Sequence, residues 1–279
     1  MKIFTTKIQL QQYLATARTD GKTIGLVPTM GALHKGHLSL IEQARRQSDV
    51  VVCSIFVNPT QFGDPEDLKK YPRPIESDTE KLKQAGSDVL FNPEVTEMYA
   101  GNEQWHLDIG ELETLLEGGS RPGHYQGVTQ VVYKLFTAIK PDIAFFGQKD
   151  YQQFLVISRM VSLLTLPVKF VMCPIQREAD GLAMSSRNIH LTSDDRKHAL
   201  ILSRTLNNVK HDFSDDKISE LKKQAETVIS NEPDVQLAYF EIADGDTLRP
   251  ADSSSKKIVA LVAAKVGNTR LIDNIIIKD

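Results

Sequence analysis

The 279-residue sequence predicts an α/β protein, a doubly wound parallel sheet followed by a smaller α+β domain. Two observations carry that reading. Short, continuously apolar runs alternate with amphipathic stretches over the first 175 residues, the pattern of strands buried on both faces and joined by helical crossovers. After Pro174 the pattern changes to two charged helix-like segments, then to alternating or apolar strand-like runs. The expected division is 1–175 and 176–279, the second part serving as a lid.

Each element has its own justification. Thr6–Thr19 carries Ile8, Leu10, Tyr13 and Leu14 on one helical side. Thr23–Val27 is a buried strand, Pro28–Gly36 a glycine-bearing turn, and His37–Gln47 a helix with Leu38, Leu40, Ile41 and Ala44 as its apolar set. Asp49–Val57 reads as a strand, Asp78–Gln84 as a helix and Asp88–Phe91 as a strand. Thr129–Lys140, Ile143–Phe146, Tyr151–Thr165 and Val168–Cys173 continue the alternation of helix and strand. In the second part, Ser193–Asn208 and Asp215–Ser230 read as helices. Gln236–Ala243, Lys256–Val266 and Leu271–Ile277 read as strands.

Composition excludes several classes. Lys and Arg number 33 against 36 Asp and Glu, a net charge of −3 that rules out a chain-wide basic footprint for nucleic acid. Cys53 and Cys173 are too few for a four-cysteine zinc site or a disulfide framework, and their apolar neighbours predict buried thiols. The N-terminus lacks a signal-peptide pattern, and Ile258–Ala264 is too short to span a bilayer. A cytoplasmic protein without membrane or nucleic-acid partners is the expectation.

Three segments carry chemistry. Pro28-Thr-Met-Gly-Ala-Leu-His-Lys-Gly-His37 follows a strand and opens a helix, so its amides and the helix dipole suit a phosphate. His34 and His37, three apart, can face one side and donate hydrogen bonds to developing charge. The plainer reading is a turn histidine with a capping role. A zinc reading is weaker, because HxxH lacks the metalloprotease glutamate. Phe146-Gly-Gln-Lys-Asp-Tyr-Gln-Gln153 also lies at a strand's carboxyl end, where open α/β sheets bind ligands. Lys149 offers a compact charge for phosphate, Asp150 a ribose acceptor or a helix cap, and Gln153 an amide donor. Asp180-Gly-Leu-Ala-Met-Ser-Ser-Arg-Asn188 places two hydroxyls beside a guanidinium in what reads as a mobile loop, with Ser185 also able to cap a turn.

Two further segments are rich in turn residues. Asn58-Pro-Thr-Gln-Phe62 puts Asn58 and Gln61 at a strand end, and Gly118–Gly127 reads as a glycine-rich loop with Arg121 and His124 as secondary candidates. His190, His198 and His211 receive no role. No GxxxxGK[ST] loop, strand-following GxGxxG or GxSxG elbow occurs. The set implies a nucleoside triphosphate site without a phosphate loop.

The motifs PTMGALHKGH, FVNPTQF, EGGSRPGHYQGV, FGQKDYQQ, READGLAMSSRN and GNTRLIDN, in this order over most of the chain, resemble the pantoate–β-alanine ligases. These enzymes belong to the His-x-Gly-His nucleotidylyltransferase superfamily. The resemblance implies a Rossmann-like first domain and an ATP-dependent condensation of pantoate with β-alanine through pantoyl adenylate, releasing AMP and pyrophosphate. It implies that His37, His34, Lys149 and Arg187 act on the reacting phosphates, His37 as the proton donor described for the family. Met30, Gly31, Gly147, Gln148, Asp150, Gln176, Met184, Ser185 and Ser186 would complete the ATP site. Gln61, Gln153 and Asn58 would serve pantoate, Mg²⁺ would ride on the phosphates, and the protein would be a homodimer.

The sequence departs from the family pattern at Gln130, Ala179 and His190, none of them assigned to a ligand. Two other readings stand beside this one. One is a superfamily adenylyltransferase for a phosphorylated acceptor, for which arginines or lysines would be expected where Gln61 and Gln153 stand. The other is a catalytically silent nucleotide-binding regulator, which would have no need of the full set.

Overall fold

Strand order decides where this fold can place a ligand. The structure, a computed structural model, describes residues 1–101 and 103–279. Six parallel strands, β1 (Lys2–Phe4), β2 (Ile24–Thr29), β3 (Val50–Ile55), β4 (Val89–Phe91), β5 (Ile143–Gly147) and β6 (Lys169–Cys173), form one sheet in the order β1-β4-β3-β2-β5-β6. The order reverses at β2, which pairs with β3 on one side and with β5 on the other, Gly25 opposite Ile143 and Leu26 opposite Ala144. Ligands of open α/β sheets bind outside the carboxyl ends of strands at such a reversal. Here those ends are Thr29 and Gly147.

The helices around this sheet are α1 (Lys7–Thr19), α2 (Lys35–Gln47), α3 (Pro65–Lys70), α4 (Ile75–Ala85), α5 (Val95–Met98), α6 (Leu116–Ser120), α7 (His124–Ile139) and α8 (Tyr151–Leu163). Period-two alternation sends Leu26, Val52 and Phe91 to a core shared with α1, α7 and α8. Their neighbours Val27, Cys53 and Leu90 pack with Leu40, Ile41 and Ala44 of α2 and Leu82 of α4. Both faces are therefore covered, and the strands read as continuous apolar runs.

The remaining elements are α9 (Ser193–Asp212), α10 (Ile218–Ser230), β7 (Val235–Asp244), β8 (Ile258–Val266) and β9 (Thr269–Lys278). The three strands form an antiparallel sheet in the order β7-β8-β9. Leu202 and Leu206 of α9 and Ala225 and Ile229 of α10 close over Ala260, Val262 and Ala264 of β8. Thr192 and Asp195 cap α9 reciprocally, each side chain accepting from the other's amide.

The chain separates into two compact units, Met1–Gly147 with Gln153–Pro174, and Gln148–Gln152 with Ile175–Asp279. Gln148–Gln152 therefore groups with the second unit, although a division at 175 leaves it in the first. Hydrogen bonds explain this: Asn274 holds the carbonyls of Gln148 and Lys149, and the Tyr151 hydroxyl donates to Gly245 O at 2.9 Å.

One strand goes unread in the sequence and one local expectation fails. The three-residue strand β1 is too short to show a period, yet it pairs with β4 from Lys2 to Phe4. The segment 118–127 is not a loop: Gly118–Ser120 ends α6, and α7 begins at His124, five residues before Thr129. Its glycines serve close packing. A Cβ on Gly118 would lie 2.3 Å from Glu113 O, and one on Gly127 would lie 2.3 Å from Thr60 O.

Candidate functional site

The turn after β2 is held from below by a buried carboxylate. Gly31 and Ala32 turn the chain through the left-handed region, at φ 84° and 51°. Asp78 of α4, only 1% exposed, accepts from the amides of Ala32 at 2.7 Å and Leu33 at 2.8 Å. Lys81, one turn on, donates to Leu33 O at 2.8 Å and lies 3.7 Å from Asp78 Oδ1. Thr29 Oγ1 accepts from the Gly31 amide at 3.2 Å and donates to Ser54 O at 2.8 Å.

His34 is the N-cap of α2. Its Nδ1 accepts from Gly36 N at 3.1 Å, and His37 Nδ1 accepts from His34 N at 3.3 Å. The ring centroids are 4.0 Å apart. An imidazole nitrogen that accepts an N–H carries no proton, so each neutral ring bears its proton on Nε2. The turn thus presents two Nε2–H donors side by side. The sequence pattern assigns phosphate to unpaired amides here. In the structure the amides of Gly31, Ala32, Leu33, His34, Gly36 and His37 have partners within the protein. The imidazole Nε2–H groups add side-chain donors of a kind suited to an anion.

After β3, Pro59–Gln61 forms a single 3₁₀ turn capped by Asn58. Asn58 is buried and its amide is fully engaged. Nδ2 donates to Gln61 Oε1 at 3.1 Å and to Gly127 O at 3.0 Å, and Oδ1 accepts from the Tyr99 hydroxyl at 2.6 Å. Those bonds orient Gln61, whose Nε2 points to Met30 Sδ at 3.0 Å. Asn58 therefore braces Gln61 and leaves it presenting a neutral donor. His124 bonds Gln61 O through Nδ1 at 2.8 Å, which fixes the opposite tautomer, and Arg121 Nη1 lies 3.4 Å from its Nε2. Arg121 and His124 thus support the Gln61 turn. Gln153 lies half-buried in the first turn of α8. A Cβ built on Gly147 meets nothing within 4 Å, so the end of β5 faces open space.

In the second unit, Gln148–Asp150 is a 3₁₀ turn with Lys149 Nζ 4.0 Å from Asp150 Oδ1. The segment leading into the expected loop is a tight hairpin. Met184 N donates to Gln176 O at 2.9 Å, Arg177 bridges Ala183, and Glu178 N donates to Leu182 O at 2.8 Å. Gly181 makes the reversal at φ 95°. Ser185 then caps the 3₁₀ turn Ser186–His190 by accepting from Arg187 N at 3.2 Å.

Arg196 of α9 fastens this hairpin, reaching Glu178 Oε2 and Asp180 Oδ2 at 2.8 Å each. The Arg196 bond holds the Glu178 carboxyl below its ordinary range. For Asp180, partial burial opposes the charge, but the Leu182 amide and Arg196 outweigh it and leave its pKa lowered as well. His198 pairs with Glu232 and His211 with Asp212, both at 2.7 Å. Burial pushes the Cys53 thiol up to about 12 and Cys173 to about 11, so neither supplies a thiolate at neutral pH.

Comparison with known proteins decides the family. A profile described as pantoate-beta-alanine ligase matches residues 2–276. The chain belongs to the pantoate–β-alanine ligase family. A pantothenate synthetase from Moorella thermoacetica is 47% identical over 285 residues, covering 100% of this chain and 99% of the relative. The crystal structure of pantothenate synthetase from Thermus thermophilus superposes with a TM-score of 0.92 at 40% identity, covering 100% of both chains. The pantoate–β-alanine ligase of Francisella tularensis, solved with β,γ-ATP and β-alanine, gives 0.81 at 36% identity, covering 99% of this chain and 97% of that one.

Within this ligase, sequence reasoning missed Asp78, and it left Asp273 and Asn274, which end the motif GNTRLIDN, without a role. Asp78 looks like the start of an amphipathic helix, although an acidic residue in a first turn is also a signal for a bonded carboxylate. Asp273 and Asn274 are two consecutive polar residues between the apolar runs Leu271–Ile272 and Ile275–Ile277, and that break in pattern was the available signal.

Proposed function

We propose that this chain is an ATP-dependent ligase that joins pantoate to β-alanine, giving pantothenate, AMP and pyrophosphate through a pantoyl-adenylate intermediate. The observation that carries it is the reciprocal cap of His34 and His37, which sets two Nε2–H donors at a sheet reversal.

In the first step a pantoate carboxylate oxygen attacks the α-phosphorus and the bond to pyrophosphate breaks. The His34 and His37 Nε2–H donors hydrogen-bond the phosphoryl oxygens and the departing pyrophosphate, stabilising the charge that develops there while each ring keeps its proton. Lys149 contributes a point charge and Arg187 a forked one to the same triphosphate. Met30, Gly31, Gln148, Asp150, Gln176, Met184, Ser185 and Ser186 hold the nucleotide, and the open space before Gly147 admits it.

The donor of Gln61, braced by Asn58, and the amide of Gln153 hold pantoate. Neutral amides suit a hydroxyl-bearing carboxylate and disfavour a phosphorylated acceptor. In the second step the neutral amine of β-alanine attacks the acyl carbon, AMP leaves and the amine proton is lost. Little covalent chemistry falls to the protein, so positioning and charge stabilisation carry the rate.

Among the described residues no three His, Cys, Asp or Glu side chains form a metal-holding set. In this reading magnesium would enter with the substrate as MgATP and would neutralise phosphate charge there. A homodimer is part of the same reading, supported by the family resemblance. So is a cytoplasmic location, and no helix among the described residues is long and apolar enough to cross a membrane.

Incubation with ATP, Mg²⁺ and pantoate, with and without β-alanine, tests the reading by product mass. Pantoyl adenylate and pyrophosphate are expected without β-alanine, and pantothenate with AMP in its presence. ATP left intact in both reactions would refute it, and adenylylation of a phosphorylated acceptor alone would favour the sister reaction.

A further inference from the structure

We propose that Asn274, in the last strand of the chain, is a positioning residue for adenylate formation that acts through Lys149. The two residues are far apart in sequence, in the separate motifs FGQKDYQQ and GNTRLIDN. Asn274 is 2% exposed. Its Nδ2 donates to Gln148 O at 3.0 Å and to Lys149 O at 2.9 Å, and its Oδ1 accepts from Gln148 Nε2 at 3.1 Å. One side chain thus satisfies two consecutive carbonyls and a side-chain amide of the turn that carries Lys149.

Asn274 is itself held in place. The neighbouring Asp273, 4% exposed, accepts the Asn274 amide at 2.8 Å and forms a two-pronged pair with Arg177 at 2.7 and 3.0 Å. Arg177 also donates to Gly181 O at 3.1 Å, within the hairpin that leads into Met184–Arg187. Two adjacent residues of β9 therefore fix both segments of the second unit that the proposed mechanism assigns to ATP.

The physical consequence concerns Lys149 above all. A lysine is a point charge on a flexible stem, so its aim depends on where its backbone is held. That backbone leaves β5 at Gly147 but is anchored on β9. Asn274 touches no reacting atom in this scheme. Its contribution is to keep the Lys149 ammonium where charge develops on the phosphates, so its loss falls on turnover rather than on pantoate binding. This inference rests on the reading of Lys149 as an ATP-binding group.

The test is a double-mutant cycle on the full chain, with pantoate-dependent pyrophosphate release as the assay. Asn274→Asp keeps the shape but replaces the double donor with an acceptor that faces two carbonyls. It is expected to lower kcat about tenfold while the pantoate KM stays within about twofold. In a Lys149→Ala background the same change is expected to cost less than about twofold, because the group it positions is already gone. Where Asn274→Asp does not fold, Asn274→Ser, which keeps a donor in less volume, carries the same cycle. Parental kcat in the single variant would overturn the proposal, and so would equal losses in both backgrounds, which would mark Asn274 as a general support of the fold. Parental turnover in Lys149→Ala alone would instead refute the reading of Lys149, and with it any action of Asn274 through that residue.

Discussion

His34 and His37 cap one helix against each other, each placing its Nδ1 on a backbone amide of the same turn. Structure and the proposed chemistry are thereby separated on a single ring: Nδ1 holds the fold, and Nε2 is the atom the proposed mechanism turns to the phosphates. His34→Asn separates the two experimentally. Asparagine is a good N-cap, so stability should change by less than about 1 kcal/mol in urea denaturation. The lost Nε2–H donor should slow adenylate formation about a hundredfold, read as pyrophosphate release. A stable variant with parental turnover would reduce His34 to a cap.

Asp78 should behave differently, because it has no second role to separate. Removing its carboxylate leaves the amides of Ala32 and Leu33 without an acceptor beneath a left-handed turn. Asp78→Ala is expected to cost on the order of 3 kcal/mol by urea denaturation and to lower turnover with it. An unchanged denaturation midpoint would show that the turn holds itself.

Gly127 sets how closely α7 approaches the turn that carries Gln61. An added Cβ would stand 2.3 Å from Thr60 O and 2.6 Å from Gln61 N, both backbone atoms that cannot rotate away. Gly127→Ala is expected to cost about 1–3 kcal/mol and to displace Gln61. Calorimetry should show weaker pantoate binding with ATP binding kept. Parental pantoate affinity would remove the Gln61 turn from the substrate site.

The strands were legible because burial on both faces leaves few polar residues to interrupt them, as in Val50–Ile55, where every residue is buried and Ser54 alone is polar. The candidate residues at the ends of β2, β3 and β5 were legible because glycines, prolines and polar side chains cluster where apolar runs stop. The segment 118–127 was misread because Gly118 answers to close packing against the carbonyl of Glu113 and Gly127 to that of Thr60, contacts that a cluster of glycines does not distinguish from a loop. The hairpin that leads into the loop expected at 180–188 was missed because its fastening residue Arg196 belongs to the following helix. The roles of Asp78 and Asn274 were not legible because they act at a distance, 45 and 125 residues from the backbone atoms they hold.

Arg196 makes that hairpin's stability depend on pH with a definite sign. Glu178 and Asp180 both have lowered pKa values, Glu178 first through its bond to Arg196, Asp180 because the Leu182 amide and Arg196 outweigh partial burial. A carboxyl whose pKa is depressed on folding contributes stability above its unfolded value and loses it as pH falls through the folded value. The contribution is therefore complete above the ordinary values of 4.5 and 3.8 and fades below them. Each partner is about one-third exposed, so solvent screening holds the total near 1 kcal/mol. Arg196→Met should lower Tm by about 2–4 °C at neutral pH. The gap from the parent should narrow as pH drops through the acid range, because protonated carboxyls no longer reward the guanidinium. A gap of constant width down to acid pH would assign the loss to packing of the arginine stem instead of to charge.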